Sequence, residues 1–408
     1  MEKENPVKYD FTTILERKGH DALAIDGLGT GFAPGCPDEG FSAIPMWVAD
    51  MNFPVLPAIQ EHVIRRTEHP AFGYFTPSEE YYAAIINWQK IRNKVDNLEE
   101  GHIGYENGVL GGVMSALSAL CVPGDKVLVH TPAYIGFTMC LKNAGYALAP
   151  SELRRDDEGV WRMDLDDMER KFRDENIHTM IFCSPHNPTG RVWTAEEMEE
   201  MLALCKKYDV WVISDEIWSD LILTHSPVPH TPLQSVNADG RERTIALYAP
   251  SKTFNLAGLV GSYHIIYNRR LKALTDKAGS LSHYNNMNVL SMHALVGAYS
   301  DEGQVWVNEL CQVLSENVRY AVSKIRTEYR GIDLAMPEGT YMLFLDCKAW
   351  CEAHNMTIDE LQQAGWKVGV AWQDGRAFGG THTIRMNLAL PMARVQEAFA
   401  RLDTYVFA

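Results

Sequence analysis

Positive charge is the scarce commodity in this chain: 37 Lys and Arg face 53 Asp and Glu, leaving a formal charge of −16. A surface that acidic disfavours nucleic acid and anionic membranes as partners, while leaving room for a local cationic pocket. Long apolar runs are missing too. The longest weakly polar stretch, "VLGGVMSALSALCV" (109–122), is broken by glycine and serine and is too short to span a bilayer. The opening "MEKENPVKYDFTT" lacks the apolar core of a signal peptide. The eight cysteines include no CxxC pair, and the nearest two, Cys347 and Cys351, lie four apart. Free buried thiols in a reducing cytoplasm are therefore expected rather than disulfides. Fourteen histidines show no HExxH-like spacing, which argues against a metal hydrolase, and "THSPVPH" (224–230) reads as a proline-rich surface loop. No low-complexity tract or internal repeat is evident.

What the chain does have is an ordinary globular composition, 46% apolar and 22% charged, at a length of 408 residues. That length exceeds what one core usually supports, so a large domain with a smaller companion is expected. Between about 100 and 270, short β-rich runs alternate with helical patterns: "HIGYE" (102–106), "KVLVH" (126–130), "HTMIFC" (178–183), "VWVIS" (210–214), "TIALYA" (244–249) and "SYHIIY" (262–267). Such alternation predicts βαβ units and an α/β domain with a mainly parallel sheet covered on both faces. Beyond 270 a long helix (303–329), strands at 340–347 and 383–389 and a closing helix near 391–404 read as a smaller α+β domain. The expected division is 1–55 joining the small domain, 56–300 as the large domain and 301–408 as the small one.

The unusual residues gather at the carboxyl ends of the predicted strands, where open α/β sheets bind ligands. "NGVLGGVMSAL" is a glycine-rich turn opening a helix, a place for an anion such as phosphate. Tyr134 in "TPAYIGF" is placed to lie over a planar ligand, or else is a core tyrosine. Asn187 in "SPHNPTGRVW" is held near its strand end by two X-Pro steps, or is merely part of a turn. Asp215 ends an apolar strand and needs a positive partner unless it is solvated; Lys252 or a protonated ring nitrogen would serve. Lys252 itself stands almost alone in "LYAPSKTFNLAGLVG" (247–261). An anion site, an aromatic plate, an amide, a carboxylate and a lysine on one rim match one ligand. Pyridoxal 5′-phosphate (PLP) carries a phosphate, a flat ring, a phenolic oxygen, a basic ring nitrogen and an aldehyde that condenses with lysine.

These motifs occur in a fixed order along nearly the whole chain: "PMWVADMNFP" (45–54), "FGYF" (72–75), "NGVLGG" (107–112), "TPAYIGF" (131–137), "SPHNPTGRVW" (184–193), "SDEI" (214–217), "APSKTFNLAGL" (249–259) and "RMNLALP" (385–391). In them the sequence resembles the fold-type I PLP enzymes of the class I/II aminotransferase superfamily. Within that superfamily it looks most like the cystathionine β-lyase or C–S lyase branch, of the MalY and PatB type. The resemblance implies a large PLP-binding domain like that of aspartate aminotransferase, with a small α+β domain. It implies that Lys252 holds the cofactor and acts in catalysis, that Asp215 pairs with the ring nitrogen, that Asn187 bonds the phenolic oxygen and that Tyr134 stacks on the ring. Val109, Leu110 and Ser251 would hold the phosphate, joined by Tyr74 from the second subunit of a homodimer. Arg385 would grip the substrate carboxylate, with Asn187 and Trp47 beside it. Three departures stand out: Trp218 where relatives have Tyr or His as a donor to the phenolic oxygen, Asn52 where they have Asp, and "RKGHDALAID" (17–26) without the usual Thr, Ser and Trp.

Both C–S β-elimination, giving pyruvate, ammonia and a thiol from cystathionine or related S-substituted L-cysteines, and transamination of an L-amino acid use this set. In each, Lys252 takes the α-proton as general base. A non-enzymatic PLP-binding regulator is the competing class; the presence of Lys252, Asp215 and Arg385 and the lack of a helix-turn-helix segment argue against it. Trp47, Trp218, Tyr284 and Trp372 are candidates to line the side-chain pocket, each with plain packing as the alternative.

Overall fold

A computed structural model describes residues 8–281 and 284–408; residues 1–7 of the opening segment lie outside it. Seven strands form the main sheet, in the order Ile103–Asn107, Gly261–Ile265, Thr244–Tyr248, Trp211–Asp215, Thr179–Cys183, Lys126–Thr131, Ala147–Glu152. Only Gly261–Ile265 runs against its neighbours; the other ladders are parallel. This is the mainly parallel α/β sheet expected, and six of its strands lie where the β-rich runs predicted. The seventh, "ALAPSE", contains Pro150, which an edge strand tolerates because one side of it needs no partner.

The central strands are buried along their whole length because both faces are covered. Val127, Val129, Ile181 and Ile213 pack with Val113, Leu117 and Phe137 of one helical layer. The intervening Leu128, Met180, Phe182 and Val212 pack with Met168, Phe172, Met198 and Leu202 of the other. Period-two alternation thus splits each strand between two cores. Parallel register brings Cys183, Asp215 and Leu247 level at the carboxyl edge.

A second sheet of four strands has the order Ile44–Met46, Val370–Asp374, Thr383–Asn387, Met342–Asp346. Two of these match the sequence reading. Ile44–Met46 and Val370–Asp374 do not appear in it, being short runs that find each other as parallel partners from opposite ends of the chain. Helix Asp301–Glu328, capped by Ser300, and the closing helix Met392–Tyr405 occupy the predicted positions within two residues. Among the described residues, no helix is long and apolar enough to cross a membrane. All eight cysteines are free thiols, but not all are buried as expected: Cys36 is exposed, and Cys121 and Cys140 are only partly covered.

Candidate active site

Lys252 lies in the short helix Pro250–Thr253, directly after strand Thr244–Tyr248. The next residue anchors it: the Thr253 hydroxyl donates to Asp220 Oδ2 at 3.0 Å. Asp220 is buried and also accepts from the Trp88 indole at 3.1 Å, with Arg92 Nε 3.5 Å away. Lys252 Nζ donates to the carbonyl of Ala49 at 2.9 Å. Its pKa is lowered to about 8, first by burial and then by the positive charge of Arg385, against the opposing pull of Asp50 and Asp215.

Ala49 belongs to a strap, residues 47–52, that crosses the strand ends and is tied down from several sides. Asn387 Nδ2 donates to the carbonyls of Val48 and Asp50 at 2.7 and 2.6 Å. Asn255 exchanges two bonds with the Met51 backbone, at 3.0 and 2.9 Å. Arg17 grips Asp50 Oδ2 at 2.6 Å and Asn52 Oδ1 at 2.8 Å. The first segment of the chain therefore clamps the strap through Asp50 and Asn52.

Asp215 closes strand Trp211–Asp215 and is 3% exposed. Its carboxylate receives the Ile217 amide at 3.1 Å, and among the described residues no ion pair reaches it. Burial raises its pKa to about 7; the Ile217 N–H and Lys252 oppose the rise, and Glu216 adds to it.

Arg385, on strand Thr383–Asn387, is buried at 3% exposure. It donates to the Trp47 carbonyl at 2.8 Å, to Asn187 Oδ1 at 3.2 Å and to Gln373. Its planar face lies 4.5 Å from the centre of the Phe378 ring. Nε is sealed from solvent with no partner, and no carboxylate pairs with this guanidinium among the described residues. Burial lowers its pKa to about 10. Asn187 spends its oxygen on Arg385, and its Nδ2 donor has no acceptor among the described residues.

The helix Val109–Leu120 begins at Gly108, with no side-chain cap and no acid in its first turn. Gly108 takes φ 77°, which glycine adopts without strain. At Gly112 a Cβ would come 2.6 Å from Leu247, so glycine lets the helix start close over the sheet. The amides of Val109 and Leu110 are thus left open for an anion. Tyr134 precedes helix Ile135–Ala144 and packs edge-on against Phe137 at 5.3 Å. Burial raises its pKa, and Arg385 and Asp215 are the charged groups nearest it. Trp218 is 1% exposed, edge-on to Tyr341 at 4.8 Å, and its ring centre lies 5.8 Å from Lys252 Nζ.

Lys252, Asp215, Asn187, Arg385, Tyr134 and Trp218 are therefore linked by bonds or charge into one cleft. Trp47 joins it through its carbonyl; its indole is buried and donates to Ala24 at 3.0 Å. Trp372 is a packing residue, wholly buried against Gly365. Tyr284 is half exposed, near Gly111 at the helix start. Tyr74 is fully exposed and makes no hydrogen bond among the described residues. The "THSPVPH" reading needs correction: His225 bonds the Pro337 carbonyl at 2.8 Å, and His230 is buried against Glu216 at 2.9 Å. The glutamate beside Asp215 is the signal that could have pointed to His230.

With this geometry in place, comparison with known proteins is decisive. The family model for aminotransferase class I and II matches residues 48–402. The chain belongs to this family. It is 34% identical over 397 residues to cystathionine beta-lyase PatB of Bacillus subtilis (strain 168), covering 96% of this chain and 98% of that protein. Among solved structures it resembles cystalysin from Treponema denticola, which contains a pyridoxal 5′-phosphate cofactor, with a TM-score of 0.88, 30% identity and coverage of 97% and 98%. It also resembles the PLP-bound C–S lyase from Staphylococcus hominis, with a TM-score of 0.87, 27% identity and 99% of each chain covered. Family membership accounts for the fold-type I architecture, two sheets meeting over the cleft that holds Lys252.

Proposed function

We propose that the cleft binds PLP on Lys252 and that the protein is a carbon–sulfur β-lyase acting on cystathionine or related S-substituted L-cysteines. The observation that carries the cofactor reading is the buried Asp215 carboxylate, which has no ion pair among the described residues and stands one strand from Lys252. A protonated ring nitrogen is the partner it lacks. The rest of the donor set fits the same group: open amides at Val109 and Leu110 and the Ser251 hydroxyl for the phosphate, the free Asn187 Nδ2 for the phenolic oxygen, and Tyr134 for the ring face. The Trp218 indole, which has no acceptor among the described residues, is a second donor toward that oxygen.

Bound there, PLP withdraws electrons from the substrate's α-carbon and so acidifies its C–H. The protein's part is positioning and proton handling. Arg385 fixes the α-carboxylate through its guanidinium, which the Trp47 carbonyl, Gln373 and Asn187 hold in place. Lys252, with a pKa near 8, is substantially neutral at mildly alkaline pH and takes the α-proton at Nζ. The strap carbonyl of Ala49 orients that amine. Departure of the thiol from Cβ, with the α-proton balancing its charge, and hydrolysis of the remaining fragment by one water then give pyruvate and ammonia. The choice of elimination over transamination follows the full-length likeness to lyases.

We infer a cytoplasmic homodimer in which Tyr74 reaches the phosphate site of the second copy. Its complete exposure on a single chain, beside the half-exposed Phe72 and Phe75, supports this. The reaction is tested by supplying L-cystathionine and an S-alkyl cysteine and assaying pyruvate, thiol and ammonia. Products without an added 2-oxo acid are expected. Turnover only when that acceptor is present would favour an aminotransferase.

A further inference from the structure

We propose that Glu216, clamped by His230 and Tyr248, is a positioning residue that holds a proton on the Asp215–ring nitrogen pair. The inference rests on the PLP reading above.

Glu216 follows Asp215, and in an extended chain successive side chains take opposite sides. It is 0% exposed. Ser214 Oγ and the Leu233 amide donate to its Oε1 at 2.9 and 3.1 Å. His230 Nε2 and the Tyr248 hydroxyl meet its Oε2 at 2.9 and 2.6 Å. Four donors suit a carboxylate, and among the described residues no lysine or arginine pairs with it. His230 Nδ1 is sealed without a partner, so the bond to Glu216 is the one that orients the imidazole. A carboxylate buried this completely is costly unless its oxygens are bonded, and here it stands one residue from the carboxylate assigned to the cofactor.

The groups facing it are few. Ser214 and Asp215 lie on the strand that ends just before it, His230 comes from the loop, and Tyr248 and Tyr263 come from the two strands on one side. Cys183 faces it from the strand on the other side. Of the cleft's cations, Lys252 acts on Asp215 and Arg385 acts on Lys252. The negative charge of Glu216 therefore acts on Asp215 in a dry setting and raises its proton affinity. By the same sign it favours a protonated ring nitrogen beside Asp215.

The test separates charge from mere bracing. Glu216→Gln keeps the shape and removes the charge. Affinity of the cofactor-free protein is measured for PLP and for its carbocyclic analogue, in which C–H replaces the ring nitrogen, using tryptophan fluorescence between pH 6 and 9. The expected result is a loss of about ten-fold for PLP, equivalent to roughly one pK unit, with the analogue changed less than about two-fold. Equal losses for the two ligands would overturn the proposal, because a brace serves both alike. Failure of the wild-type protein to bind PLP would instead overturn the cofactor reading. Should the Gln variant fail to fold, Glu216→Asp keeps the charge and disturbs the clamp instead. The preference for PLP over the analogue should then stay within about two-fold of wild type, and a larger fall contradicts the proposal.

Discussion

The ε-amine of Lys252 and the carbonyl of Ala49 meet at 2.9 Å, joining the end of the main sheet to the strap that leads out of the four-stranded sheet. This contact places the reactive amine, and the lysine it holds is depressed to a pKa of about 8 by burial and by Arg385. Replacing Lys252 with alanine should lower kcat by at least about 1,000-fold, the upper range for a general acid–base group. Steady-state pyruvate assays check it, and retention of more than a tenth of wild-type kcat would remove Lys252 from the reaction.

Asp215 gives the cofactor-free protein a pH signature. Its folded pKa, about 7, lies above the usual carboxylate value, so the folded state holds more protons than the unfolded state between about pH 4 and 7. Its contribution to stability is full below that window and is lost as pH rises through it. Asp215→Asn should therefore flatten the fall in Tm between pH 4 and 7 relative to wild type. Parallel Tm curves for the two proteins would contradict the assignment.

Arg385 has a buried, unpartnered Nε beside Phe378. Arg385→Lys keeps the charge and loses the planar fork, so kcat/KM should drop by about 100-fold, comparable to one lost charge-assisted pair. Initial-rate kinetics decide this, and an effect below about three-fold would place carboxylate binding elsewhere.

Asp220 gathers donors from Trp88, Thr253 and Arg92 and is buried. Asp220→Ala leaves the Trp88 indole and the Thr253 hydroxyl unpaired and should cost about 2–4 kcal/mol of stability, read as a lower Tm. Thr253→Val removes only the bond next to Lys252 and should lower kcat more than Tm. Equal scaling of both variants in Tm and kcat would deny Asp220 a part in placing the lysine.

The strands of the main sheet could be read from sequence because parallel strands buried on both faces are continuous apolar runs, and Asp215, Asn187 and Lys252 follow those runs directly. Other features depend on contacts that local pattern does not encode. Ile44–Met46 becomes a strand only beside Val370–Trp372. Trp47, a candidate for its ring, acts through its carbonyl because the indole is drawn to Ala24. His230 looked like surface among prolines, yet the loop folds back to meet Glu216. Arg17 reaches Asp50 and Asn52 across more than thirty residues.

The central claim is that Lys252 carries PLP. The most direct measurement is borohydride reduction of the purified protein loaded with PLP, followed by mass spectrometry of its peptides. The account predicts a yellow protein that is bleached by the reduction, with a single pyridoxyl adduct on the peptide containing Lys252. A colourless protein that cannot be reconstituted, or an adduct on any other lysine, would contradict it.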